Sequence, residues 1–156
     1  MPQGYVLRAR EGEHLIQRGG DIFINVDAVK GCSSLAMGTQ QIPIGIGIPI
    51  HRHLEMDEAF YVIEGRGTFI LDDACHPIEK GASIFIPKNA WHGFENADGE
   101  LILLWIVAPP GLECLFREIA SRPGASPIQR TKQQLNEIAE NMGRNSDKRV
   151  SAYKRL

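Results

Sequence analysis

The chain has 156 residues, 43% of them hydrophobic and 23% charged, the make-up of one ordinary globular domain long enough to enclose a core. A formal net charge of -2 and a pI near 6.2 exclude the basic footprint of a nucleic-acid binder or of a protein drawn to an anionic membrane. The expected partner is a small molecule.

Met1 to Tyr5 lead into charged residues from Arg8 onward with no apolar stretch between, so no secretory signal is read. Three scattered cysteines (Cys32, Cys75, Cys114) form no C-x-x-C pair. An odd, unpaired set suits a reducing compartment, and a cytoplasmic protein is expected. The longest apolar run, Leu101 to Ala108, is too short to span a bilayer and ends at Pro109-Pro110.

In chain order, Asp21 to Val29 and Ser33 to Ile50 supply the first strand-like material. Shorter runs rich in β-branched and aromatic residues follow: Phe60 to Ile63, Thr68 to Leu71, Ser83 to Ile86 and Leu101 to Val107. Turn residues separate them, among them Gly65-Arg66-Gly67, Asp72-Asp73, Glu79-Lys80-Gly81 and Pro87-Lys88-Asn89. Short strands at this even spacing predict an all-β antiparallel sandwich or barrel over residues 1–110.

The pattern changes after Pro109-Pro110-Gly111. Leu112, Leu115, Phe116 and Ile119 recur at the spacing of one helix face, and Pro123-Gly124 stops that helix. Thr131 with Gln134 forms a capping-box pattern ahead of a second helix, whose apolar stripe is Leu135, Ile138 and Met142 and whose end is marked by Gly143. Each helix is amphipathic and needs a surface to cover, either the outside of the barrel or a partner subunit. Residues 111–143 thus read as a helical appendage. Residues 144–156 read as a flexible basic tail, a solvated terminus rather than a nucleic-acid or lipid arm.

Of five histidines, His51 and His53 are separated by one residue, so on a strand both imidazoles face the same side and make a chelating pair. Glu58 lies at an odd offset from His53. It can face them only if Leu54 to Asp57 contain a bend that starts a new strand, where Phe60 and Val62 would share its face. His92 follows a turn at Pro87 to Ala90 and can meet the pair from an antiparallel strand. Three imidazoles and a carboxylate suit Fe(II), Mn(II), Ni(II), Co(II), Cu(II) or Zn(II), and not Mg or Ca. Glu55 is an alternative carboxylate if the strand continues straight.

The spacing Gly45, His51, His53, Glu58, Gly65 resembles the first signature of the cupin superfamily. Gly81, Pro87, His92 and Asn96 resemble the second, with Asn89 in place of a glycine. Asn is the residue that best tolerates a left-handed conformation after Gly. The resemblance implies a double-stranded β-helix (jelly-roll) barrel, a metal held by His51, His53, Glu58 and His92, and a homodimer joined through sheet edges.

His14 and His76 match no ligand position, and the cysteines have no nearby histidine to activate them. Trp91, Phe94, Phe60 and Trp105 are core residues that also stand near the expected cavity. The stretch Pro109 to Glu118 is similar to the segment after the barrel in single-domain, quercetin-dioxygenase-like cupins. That resemblance implies a dioxygenase acting on an enol, diketone or flavonol-like substrate, with Glu58 as both ligand and base. Metal-dependent isomerisation, decarboxylation or lyase chemistry, and ligand binding without turnover, are the alternatives.

Overall fold

A computed structural model describes residues 3–96 and 99–146. Ten strands come first: β1 (Glu13–Gln17), β2 (Gly20–Val26), β3 (Ala36–Ile42), β4 (Gly47–His53), β5 (Asp57–Glu64), β6 (Arg66–Leu71), β7 (Ala74–Glu79), β8 (Ser83–Ile86), β9 (His92–Glu95) and β10 (Leu101–Ala108). Helices α1 (Leu112–Ile119) and α2 (Lys132–Asn141) follow, then a last strand, β11 (Arg144–Ser146).

The strands form two antiparallel sheets. One has six strands in the order β1-β2-β3-β10-β5-β8; the other has five in the order β11-β4-β9-β6-β7. Both contribute to one core, which gives the all-β jelly-roll architecture with helices at its C-terminal end. Strand β10 shows how the sequence builds it. Leu101, Leu103, Trp105 and Val107 alternate inward and are fully buried, the period-2 pattern of a strand with one covered face. Trp105 leans on Gly38 of β3, where a Cβ would stand 2.5 Å from the indole; only glycine fits there.

Three strands were not expected. β7 is the edge of its sheet, buries only Ile78 and contains Pro77, so it lacks apolar alternation, and its proline is tolerated at an edge. β1 buries only Leu15. β11 occupies Arg144–Ser146, the first residues of the expected basic tail. They pair with β4, which corrects the tail's starting point; residues 147–156 lie outside the described residues. The expected strand material from Ser33 to Ile50 is divided between β3 and β4 by a turn in which Ile46 N donates to Pro43 O and Gly45 has φ 75°.

The helices end where their signals place them. Thr131 accepts from Gln134 N while the Gln134 side chain accepts from Thr131 N, and Gly143 has φ 75°. They do not cover the outside of the barrel. Leu112, Leu115, Phe116 and Ile119 of α1, with Leu135 and Ala139 of α2, line a cavity on the core side. Helix α1 is pinned by Arg117, whose Nε and Nη2 donate to Glu13 Oε2 at 2.8 and 2.6 Å and whose Nη2 also reaches the fully buried Asp27.

Candidate metal centre

Strand β4 presents His51 and His53 on its buried face, while Arg52 points away and stacks over Trp91, 4.7 Å from the ring centre. The chain bends at residues 54–56 and β5 begins, so Glu58, Phe60 and Val62 all face inward. Asn89 sits in the left-handed region at φ 69°, and its N–H donates to His53 O at 2.7 Å. That bond ties the turn before β9 to the end of β4. His92 then pairs directly with His51 in the β4–β9 ladder. The histidines come from the five-stranded sheet and Glu58 from the six-stranded one. A division of the donors between two sheets could not be read by parity along one strand.

One potential ligand atom from each of His51, His53, Glu58 and His92 lies within 4.8 Å of the others, and all four residues are buried. Glu55 is exposed and takes no part. His14 packs on Phe23 and bonds Asp21, His76 is exposed, and the three cysteines are free.

The tautomers are constrained. His92 Nδ1 lies 3.0 Å from Ala90 O, and His51 Nδ1 lies 2.8 Å from Pro49 O. A carbonyl can only accept, so Nδ1 carries the proton and Nε2 is left with a bare lone pair. Glu58 Oε2 lies 3.0 Å from His92 Nε2 and 3.3 Å from His53 Nε2, yet these three buried atoms have no hydrogen-bond partner. Three ligand-type atoms converging at this distance, one of them a carboxylate oxygen and one the bare Nε2 of His92, suit a cation between them. Three imidazoles and one carboxylate fit a divalent transition-metal ion.

The electrostatics agree with that use. Burial, with Arg144, His92 and His53 adding to it, pushes His51 well below the usual histidine range, which keeps the ring neutral as a ligand must be. Burial would raise the Glu58 carboxyl, but protons or positive charge on the His53 and His92 side outweigh it and lower the group to about 2. A cation between the neutral rings and the carboxylate would act in the same direction.

Beside this cluster opens a cavity of about 870 Å³. Phe60 and Phe94 stand near the donors, Ile46 and Ile48 form the strand side, and Leu115 and Leu135 close it from the helices. Trp105 stays in the core. Sequence reasoning missed the helices as cavity wall and missed Arg144 as a lining residue; β11 is too short and polar to announce itself.

Comparison with known proteins places the matched region on this site. The Cupin domain family model matches residues 38–107. Protein SchB of Streptomyces halstedii is 34% identical over 95 residues, covering 60% of this chain and 69% of SchB. Polyketide synthase CurC of Streptomyces cyaneus is 32% identical over 96 residues, covering 61% of this chain and 62% of CurC. The alignments span from 44% to 69% of the length of the curated relatives. Among solved structures, KdgF from Halomonas sp. superposes with a TM-score of 0.62 at 16% identity, over 69% of this chain and 96% of that one. No helix among the described residues is long and apolar enough to cross a membrane.

Proposed function

The chain belongs to the cupin superfamily, and we propose that it is a metal-dependent dioxygenase acting on a small enol, 1,3-diketone or flavonol-like substrate. The observation that carries the metal dependence is the cluster of unpartnered acceptors on His53, Glu58 and His92. An ion held there supplies Lewis acidity toward an enolate and, if redox-active, the one-electron chemistry by which O₂ reacts with an organic anion.

The chain's own residues do the rest. His51, His53 and His92 would hold the ion through ring nitrogens, with the rings of His51 and His92 fixed by backbone carbonyls. Glu58 is ionised at neutral pH and accepts the proton of a substrate hydroxyl brought against it. The apolar walls from Phe60, Phe94 and the two helices exclude water and receive a largely apolar molecule. The enol or diketone assignment draws support from CurC, whose name ties it to polyketide synthesis; a polyketide carries alternating carbonyls that enolise readily.

Oxygen uptake is the test. Fe-, Mn- or Ni-loaded protein should consume O₂ when acetylacetone or a simple flavonol is added. Silence across a broad panel of such compounds removes the dioxygenase reading. The donor set equally suits Zn(II), which has no redox chemistry. Turnover without O₂ that survives replacement of iron by zinc would instead establish a Lewis-acid isomerase, decarboxylase or lyase. Ligand-induced stabilisation with no product would establish a binding protein.

A further inference from the structure

Strand β11 pairs with β4 so that Arg144 stands opposite His53, Asn145 opposite Arg52 and Ser146 opposite His51. Arg144 and Ser146 therefore share the face of the sheet that carries the two histidines, and both line the cavity. Arg144 is partly buried, and among the described residues its guanidinium has no ion pair or side-chain hydrogen bond. The other charged groups lining the cavity are Arg18, Lys132, Glu58 and Glu140. Arg18 is exposed and its Nη1 donates to Gly47 O at 2.8 Å.

Charge bookkeeping shows what Arg144 lacks. Burial pulls its guanidinium down to about 10, while Glu58 pulls it up and Arg18 pushes it further down. It is charged at neutral pH, and Glu58 is the carboxylate that favours that charge. A divalent ion held by three neutral imidazoles and Glu58 claims that carboxylate and leaves the centre with a net positive charge. Arg144 would then be a partly buried cation deprived of the carboxylate that favours its charge.

We infer that Arg144 is the anion-recognising residue of the cavity, taking a carboxylate carried on an apolar body that extends toward His51, His53, Glu58 and His92. The planar guanidinium fork matches a carboxylate with two parallel N–H donors, and the apolar walls accommodate the body. This names a substrate class for the same cavity. It rests on the proposed function only for what happens at the far end of the molecule.

Calorimetric titration of benzoate and neutral benzamide into purified protein, metal-free and zinc-loaded, tests it without any turnover. Benzoate should bind more tightly than benzamide in both forms by about tenfold or more. Arg144→Gln should erase that preference and leave benzamide unchanged; Arg144→Lys should restore part of it. Equal binding of the two probes by the wild type, or a preference that Arg144→Gln leaves intact, overturns the inference. So does phenyl phosphate binding more tightly than benzoate. Should Arg144→Gln fail to fold, the wild-type ratio in metal-free protein decides alone. A failure of O₂ uptake leaves this titration unaffected, so the two readings fail separately.

Discussion

His51 and His92 face each other across the β4–β9 ladder with ring centres 4.2 Å apart, and each turns its Nδ1 to the backbone carbonyl two residues earlier in the chain. The repeated arrangement aims two Nε2 lone pairs into one space using backbone of β4 and of the turn that leads into β9. Removing either ring takes away a donor that no neighbour replaces. His51→Ala and His92→Ala are each expected to reduce the bound metal of purified protein by about tenfold or more, measured by elemental mass spectrometry. Unchanged metal content in both would sink the assignment.

Asn89 adopts φ 69° while its N–H holds the end of β4. Asn89→Gly should be close to neutral. Asn89→Ala keeps the strain without the polar side chain that relieves it, and should cost about 1 kcal/mol. Chemical denaturation of the two variants side by side reads the difference; equal midpoints would contradict it.

Helix α2 begins with a complete capping box at Thr131 and Gln134. Thr131→Ala is expected to cost about 1 kcal/mol and to loosen a cavity wall. The second effect should appear as faster amide exchange in 132–141 than in the barrel strands. Uniform exchange would mean that the helix is held by packing alone.

Acid stability should depend on Asp27. Burial raises this carboxyl, but Arg117 and Lys30 more than compensate, and its value falls below the ordinary 3.8. The unfolded chain then binds a proton that the folded chain refuses. The stabilisation is present above about pH 4 and is lost as pH falls through the lower folded value. Asp27→Asn should be less stable at neutral pH and show a flatter loss below pH 4 in thermal melts. An unchanged acid profile would show that the carboxylate is not linked to folding.

Tyr61, Ile63 and Phe85 are exposed on adjoining strands β5 and β8, and β8 is a sheet edge. An open apolar edge favours pairing with a second copy. Light scattering on the wild type should give a dimer mass, with Phe85→Asp shifting it toward monomer. A monomeric wild type removes the dimer.

Much of the centre was legible because its signals are local. Alternation put His51 and His53 on one face, the odd offset of Glu58 demanded a bend between Leu54 and Asp57, found at 54–56, and Asn89 suited a left-handed turn. Thr131 and Gln134 marked α2 in the same way. What escaped depends on partners remote in sequence. The pairing of Arg144 with His53 is created by the chain's return after two helices. β7 is held by its neighbour β6 rather than by any apolar pattern of its own. The helices look suited to an outer surface until the cavity they close is seen.

The region matching the Cupin domain, residues 38–107, contains all four candidate ligands, whereas Arg144 and the helical wall lie beyond it. The candidate ligands with one side of the cavity wall, and the other side of that wall, thus lie in successive stretches of one chain. On the proposed reading, an exchange of the C-terminal stretch between relatives would alter that wall and Arg144 while leaving the four candidate ligands as they are. Diversification of such a protein could then run through α1, α2 and β11 without disturbing the ligand cluster.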